Sequence, residues 1–135
     1  MRSNFLVVLV VLLASCSDVR SFEETSAQFQ RDRDQLQRLA EAAVACEDAS
    51  RFLARQNERS DCVGEIAREL HSLGYRSASV SDGRWYVDFV NGDDGTGPLG
   101  SVMSGISYHR VPGPPQHGER PLTPPPHQWF YFQHD

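Results

Sequence analysis

Apolar residues recur with one period in the first half of the chain and another in the second. Phe29, Leu36, Leu39, Ala43 and Cys46 fall at near-heptad spacing, with Gln, Arg and Asp filling the other positions from Gln28 to Arg38. That pattern predicts an amphipathic helix with one apolar stripe and one solvated face. Asp48, Ser50, Ser60 and Asp61 are all suitable N-caps, so Glu47 to Arg59 reads either as a continuation of this helix or as a second short one. Val63, Ile66, Ala67, Leu70 and Leu73 then give the buried face of a helix from about Ser60 to Leu73. Gly74 supplies its left-handed C-terminal cap and Tyr75 the hydrophobic follower.

After Gly74 the period falls to two. Tyr75 to Ser81 and Arg84 to Val90 flank Asp82-Gly83, a pair suited to the positive φ angles of a type I′ hairpin. Trp85, Val87 and Phe89 alternate with Tyr86, Asp88 and Val90, which predicts burial of the first set. A Gly- and Asp-rich loop, Asn91 to Gly100, leads to a strand over about Ser101 to Val111. The prolines that follow oppose regular pairing as far as His127, and Gln128 to Gln133 forms a last aromatic strand. Helices first and antiparallel strands afterwards predict an α+β domain, with the N-terminal helices packed on one face of a roughly four-stranded antiparallel sheet.

The start of the chain has a different character. Arg2 precedes ten apolar residues, Phe5 to Ala14, and the run closes on Leu13-Ala14-Ser15-Cys16. Spanning a bilayer takes about 20 apolar residues, so this run is a leader and not an anchor helix. Leucine, two small residues and cysteine at the end of such a run resemble the lipobox of bacterial lipoproteins. The resemblance covers the first sixteen residues and implies that Cys16 is the first residue of the mature protein, carrying acyl chains that hold it to a membrane. In Gram-negative lipoproteins the residue after the cysteine helps to sort them. Ser17 implies the outer membrane, with the protein facing the periplasm. The resulting division is a leader over 1–15, the lipidated cysteine with a polar tether over 16–26, and one domain over 27–135, with helices at about 27–73 and strands at about 75–133.

The formal net charge is −5, and −6 once Arg2 leaves with the leader, which argues against a nucleic-acid partner. With Cys16 lipidated, Cys46 and Cys62 remain, and an even remainder in an oxidising compartment favours a disulfide between them. One straight helix from Phe29 to Gln56 would leave Cys46 about 15 Å from its end, out of reach of Cys62. The disulfide therefore predicts a helix break near Asp48 to Ser50.

Motifs for chemistry are few. Asn91 to Gly97 is rich in side-chain oxygens, but an EF-hand loop would need glutamate at its twelfth position, where Val102 stands. His109, His117, His127 and His134 lack the tight spacing of a zinc site, so neither a metal nor another cofactor is expected. No serine lies in a Gly-x-Ser-x-Gly elbow, and no catalytic residue is assigned. Ser104-Gly105-Ile106-Ser107-Tyr108 is similar to the Ser-Gly-x-x-Tyr strand of the membrane-bound inhibitors of c-type lysozyme. Those inhibitors are all-β barrels, whereas this chain begins with helices. The proline-rich stretch from Pro112 to Pro126 predicts a stiff, extended excursion on an aromatic sheet, with Pro114, Pro115 and Pro125 as contacts for another protein. The sequence thus favours a lipid-anchored, non-enzymatic module that binds a protein of the envelope. An inhibitor or immunity protein against a periplasmic or cell-wall-acting enzyme comes second, and an envelope enzyme third.

Overall fold

Residues 19–55, 58–93 and 102–134 are described by the structure, a computed structural model. Cys16 lies outside them, as do residues 94–100 of the loop after the second predicted strand.

Helix α1 spans Phe22–Ala45. Its N-cap is Ser21, whose hydroxyl oxygen accepts from the Glu24 amide at 3.1 Å and so satisfies one of the free N–H groups of the first turn. The polar tether expected over 16–26 is therefore shorter, because Phe22 to Ser26 already belong to the helix. Phe22 meets Tyr131 edge-on at 5.6 Å, and Thr25 is fully buried. The stripe of Phe29, Leu36, Leu39 and Ala43 is buried as its spacing requires.

The helix ends at Ala45, with Cys46 in an extended conformation as its C-cap. That break lets Cys46 and Cys62 approach to 6.0 Å between Cα atoms and form a disulfide. The stretch from Glu47 to Arg59, read above as helix, contains strand β1, Arg51–Leu53. Three residues are too few to display a period of two, yet Phe52 between them is buried in the core. Helix α2, Cys62–Leu73, begins at Asp61, whose carboxylate accepts from the Gly64 amide at 3.1 Å. It ends at Gly74, in the left-handed region at φ 89°, and the Tyr75 amide donates back to the Leu70 carbonyl at 2.9 Å.

The remaining strands are β2 (Ser77–Val80), β3 (Tyr86–Asp93), β4 (Met103–His109), β5 (Glu119–Pro121) and β6 (Trp129–His134). With β1 they form a six-stranded antiparallel sheet in the order β1-β2-β3-β4-β6-β5, two strands more than the sequence predicts. The second addition, β5, lies within the proline-rich stretch. An edge strand tolerates Pro121, because its missing N–H faces away from the ladder.

The β2–β3 turn also differs from expectation. The left-handed residue is Arg84, at φ 60°, and neither Asp82 nor Gly83 has a positive φ. The Arg84 amide donates to Ser81 O at 2.8 Å and the Ser81 amide to Tyr86 O at 3.0 Å, so the loop is longer than a two-residue hairpin. Trp85 belongs to this loop and not to the strand. It is 52% exposed, with the Arg110 guanidinium 5.8 Å from its ring, whereas Val87 and Phe89 are buried as predicted.

Alternation along the strands sorts the sheet into two faces. Phe52, Ala78, Val87, Phe89, Ile106, Tyr108, Trp129 and Tyr131 share one buried cluster with the stripe of α1 and with Val63, Ile66, Ala67 and Leu70 of α2. Phe29 of α1 lies 5.2 Å from the Trp129 ring, and Trp129 Nε1 donates to Gln37 Oε1 at 3.0 Å. The opposite face carries Tyr86, Asp88, Ser107, His109, Phe130 and Phe132.

Candidate functional site

On that second face the ladder aligns residues in rows across the strands. Arg51 pairs with Ser79, Ser79 with Asp88, Asp88 with Ser107, Ser107 with Phe130 and Phe130 with Pro121. The neighbouring row runs Leu53, Ser77, Val90, Gly105, Phe132 and Glu119. Small residues in the middle of both rows leave a depression between larger side chains at the sides. Gly105 is part of it, since a Cβ there would stand 2.1 Å from the Phe89 carbonyl oxygen and 2.8 Å from the Phe132 ring.

Two cavities occupy this face. The larger, about 240 Å³, is lined by Arg51, Ser77, Ser79, Asp88, Val90, Met103, Phe132 and His134. The smaller, about 160 Å³, shares Asp88, Phe132 and His134 with it and continues toward Tyr86, Ser107, Gln116 and His117. Asp88 is thus one of the three side chains at which the two meet, and the acidic one among them. Burial raises its carboxyl above the usual aspartate range, and a hydrogen bond from Ser107 opposes the shift. Glu119 adds to the rise, while His134 and His109 reduce it.

The proline-rich stretch folds back to wall in the β6 side of this face. His109 Nε2 and Glu119 Oε2 are 3.0 Å apart, and both side chains are nearly buried. Glu119 Oε1 accepts from the Gln116 amide at 2.8 Å, and Gln116 Nε2 donates to the Tyr86 hydroxyl at 2.9 Å. The His109 ring is held between Phe130, at 4.2 Å, and Tyr86, at 4.8 Å. Being 3% exposed, it has no room for a substrate, and its contacts are those of a clasp for the loop. The segment remains extended as the prolines require, but it is tied to the sheet at several points and not a free excursion. Pro114, Pro115 and Pro125 point outward and are exposed.

The other sequence candidates are dispersed. His127 meets the Thr123 carbonyl through Nδ1 at 2.6 Å, and His134 stacks on Phe132 at 4.8 Å. Among the described residues no group of three or more His, Cys, Asp or Glu side chains gathers as metal ligands. Ser104 and Ser107, neighbours in the five-residue similarity noted above, face opposite sides of the sheet. Ser104 donates to Asn91 Oδ1 at 2.9 Å inside the core, and Ser107 faces Asp88. Sequence reasoning missed Arg51, Ser77, Ser79 and Asp88 as lining residues. Their common row exists only once the strand register is known.

No family model, curated protein or solved structure matches the chain. The site therefore has to be interpreted from its own chemistry.

Proposed function

We propose that this protein is a lipoprotein anchored through acyl chains on Cys16, and that it acts as a non-enzymatic protein-binding module in the envelope, at the outer membrane and facing the periplasm. In this reading both helices pack on the Phe89 and Trp129 face of the sheet, which leaves the Asp88 face for recognition. The observation that carries it is the clasped proline segment beside an indented, half-polar face. Pro114 and Pro115 stand exposed on a backbone fixed by His109, Glu119 and Gln116, and Pro125 in a turn spanned by the His127 contact with the Thr123 carbonyl, so little order would be lost on binding.

The attachment of the first helix sets how an anchored domain would be held. The Arg20 amide donates to Ser104 Oγ at 2.8 Å, and the Arg20 carbonyl accepts from the Tyr131 hydroxyl at 2.8 Å. Four residue steps separate Cys16 from Arg20, a reach of at most about 14 Å even when fully extended. Acylation at Cys16 would thus hold the N-terminal end of α1 close to the bilayer. The C-terminal end lies about 36 Å along the helix axis from the N-terminal one.

Membrane fractionation with intact mass spectrometry, followed by crosslinking and affinity capture from envelopes, tests both parts. The expected result is an acylated Cys16, a Cys16→Ala variant released from the membrane, and one stoichiometric envelope protein captured only with the anchored form. Unmodified Cys16 would overturn the anchor. Acylated protein that captures no such partner would overturn the binding role.

A further inference from the structure

We propose that the larger cavity of the Asp88 face binds a free α-amino acid with an apolar side chain, its ammonium group against Asp88 and its carboxylate against Arg51. The two residues line one space of about 240 Å³ and carry opposite charges. They do not pair with each other, and among the described residues neither makes an ion pair elsewhere. Ser79 stands between them in the same cross-strand row, two strand spacings or about 9.5 Å from one end to the other.

Asp88 has a hydrogen bond from Ser107, but a ligand with a single charge would still pair with one of the two side chains and leave the other without an ion-pair partner. A zwitterion whose two charged groups flank one carbon satisfies both, with each contact a charge-assisted hydrogen bond. Ser77 and Ser79 supply hydroxyls along the floor, able to donate to the carboxylate or accept from the ammonium. Val90, Met103 and Phe132 form the apolar part of the wall and would receive the ligand's side chain. Size points the same way, because the cavity is below the roughly 300–1,000 Å³ typical of sites for drug-sized molecules. Half-burial of Asp88 fits this occupant too, since a carboxylate withdrawn from water gains most from a cation placed against it. The site does not depend on acylation of Cys16 or on a protein partner.

The full chain in detergent is titrated with L-leucine, N-acetyl-L-leucine and L-leucine methyl ester, followed by calorimetry and by amide resonances of β2, β3 and β4. L-leucine is expected to bind saturably, and each blocked analogue about tenfold or more weakly, the cost of one lost charged contact. Asp88→Asn should weaken L-leucine and the methyl ester but not N-acetyl-L-leucine. Arg51→Gln should weaken L-leucine and N-acetyl-L-leucine but not the methyl ester. A native-like amide spectrum of each variant shows that folding is intact. No saturable binding of L-leucine up to about 10 mM by the folded chain overturns the proposal. Equal affinity for all three probes overturns it as well.

Discussion

Arg84 Nε donates to the Val44 carbonyl oxygen at 2.7 Å, closing the C-terminal end of α1 from a hairpin forty residues further on. The same guanidinium donates to Ala43 O at 2.8 Å and Ala49 O at 3.3 Å, and also to Cys46 O. α1 has no basic residue in its own last turn. Arg84 supplies the positive charge that end favours and partners for carbonyls left free by the helix. The fit explains why a non-glycine residue holds φ 60° in this turn.

Replacing Arg84 with alanine should lower unfolding free energy by about 2 kcal/mol, the usual scale for hydrogen bonds from a charged group. Arg84→Gly should lose about 1 kcal/mol less than Arg84→Ala, because glycine adopts the left-handed region without penalty. Urea denaturation of the three proteins checks both figures.

The Cys46–Cys62 bond joins the end of α1 to the start of α2 across a sequence separation of 16. Its removal by Cys46→Ala/Cys62→Ala should cost about 3 kcal/mol in the chain-entropy account. Denaturation of the double variant beside the oxidised chain measures this, and equal stability would contradict it.

Glu119 holds His109 on one oxygen and the Gln116 amide on the other. Glu119→Ala leaves both donors without this acceptor and should cost about 1–3 kcal/mol. It should also release the proline segment, which proteolysis between Val111 and Gly118 would report.

Asp88 gives a pH dependence of defined sign. Burial is the main cause that raises its folded-state pKa above the ordinary 3.8. The folded chain therefore keeps this proton at pH values where the unfolded chain has lost it. The stability it contributes is present below the unfolded value and lost as pH rises through the folded one. Asp88→Asn should be more stable than the native chain at about pH 7, and the difference should shrink by about pH 3. Denaturation at the two pH values provides the comparison, and an Asn variant that is less stable at about pH 7 would contradict the assignment.

How far the chain could be read depended on the length of each signal. α2 carries two full turns of apolar period and a Gly-Tyr cap, and its limits follow from them. The disulfide is legible together with the need for a helix break, although the helix ends at Ala45, before the stretch from Asp48 to Ser50 where the sequence places it. β1 and β5 are three residues each and are held by pairing with neighbours, which leaves no period to detect. Trp85 reads as a strand residue until Arg84 is seen turning toward the end of α1, a contact no local pattern encodes. The same holds for the Asp88 face. Arg51, Ser79 and Asp88 are scattered in the sequence and become one row only through the register of three strands.

In the proposed function the anchored protein binds a partner through the face walled by the proline segment. A photo-crosslinking residue at His117, on the rim of the smaller cavity, tests it against one at Arg38, on the exposed side of α1, in intact cells. A single protein adduct is expected from position 117, lost with Cys16→Ala, and no such adduct from position 38. The same adducts from both positions, or adducts from position 38 alone, would contradict it.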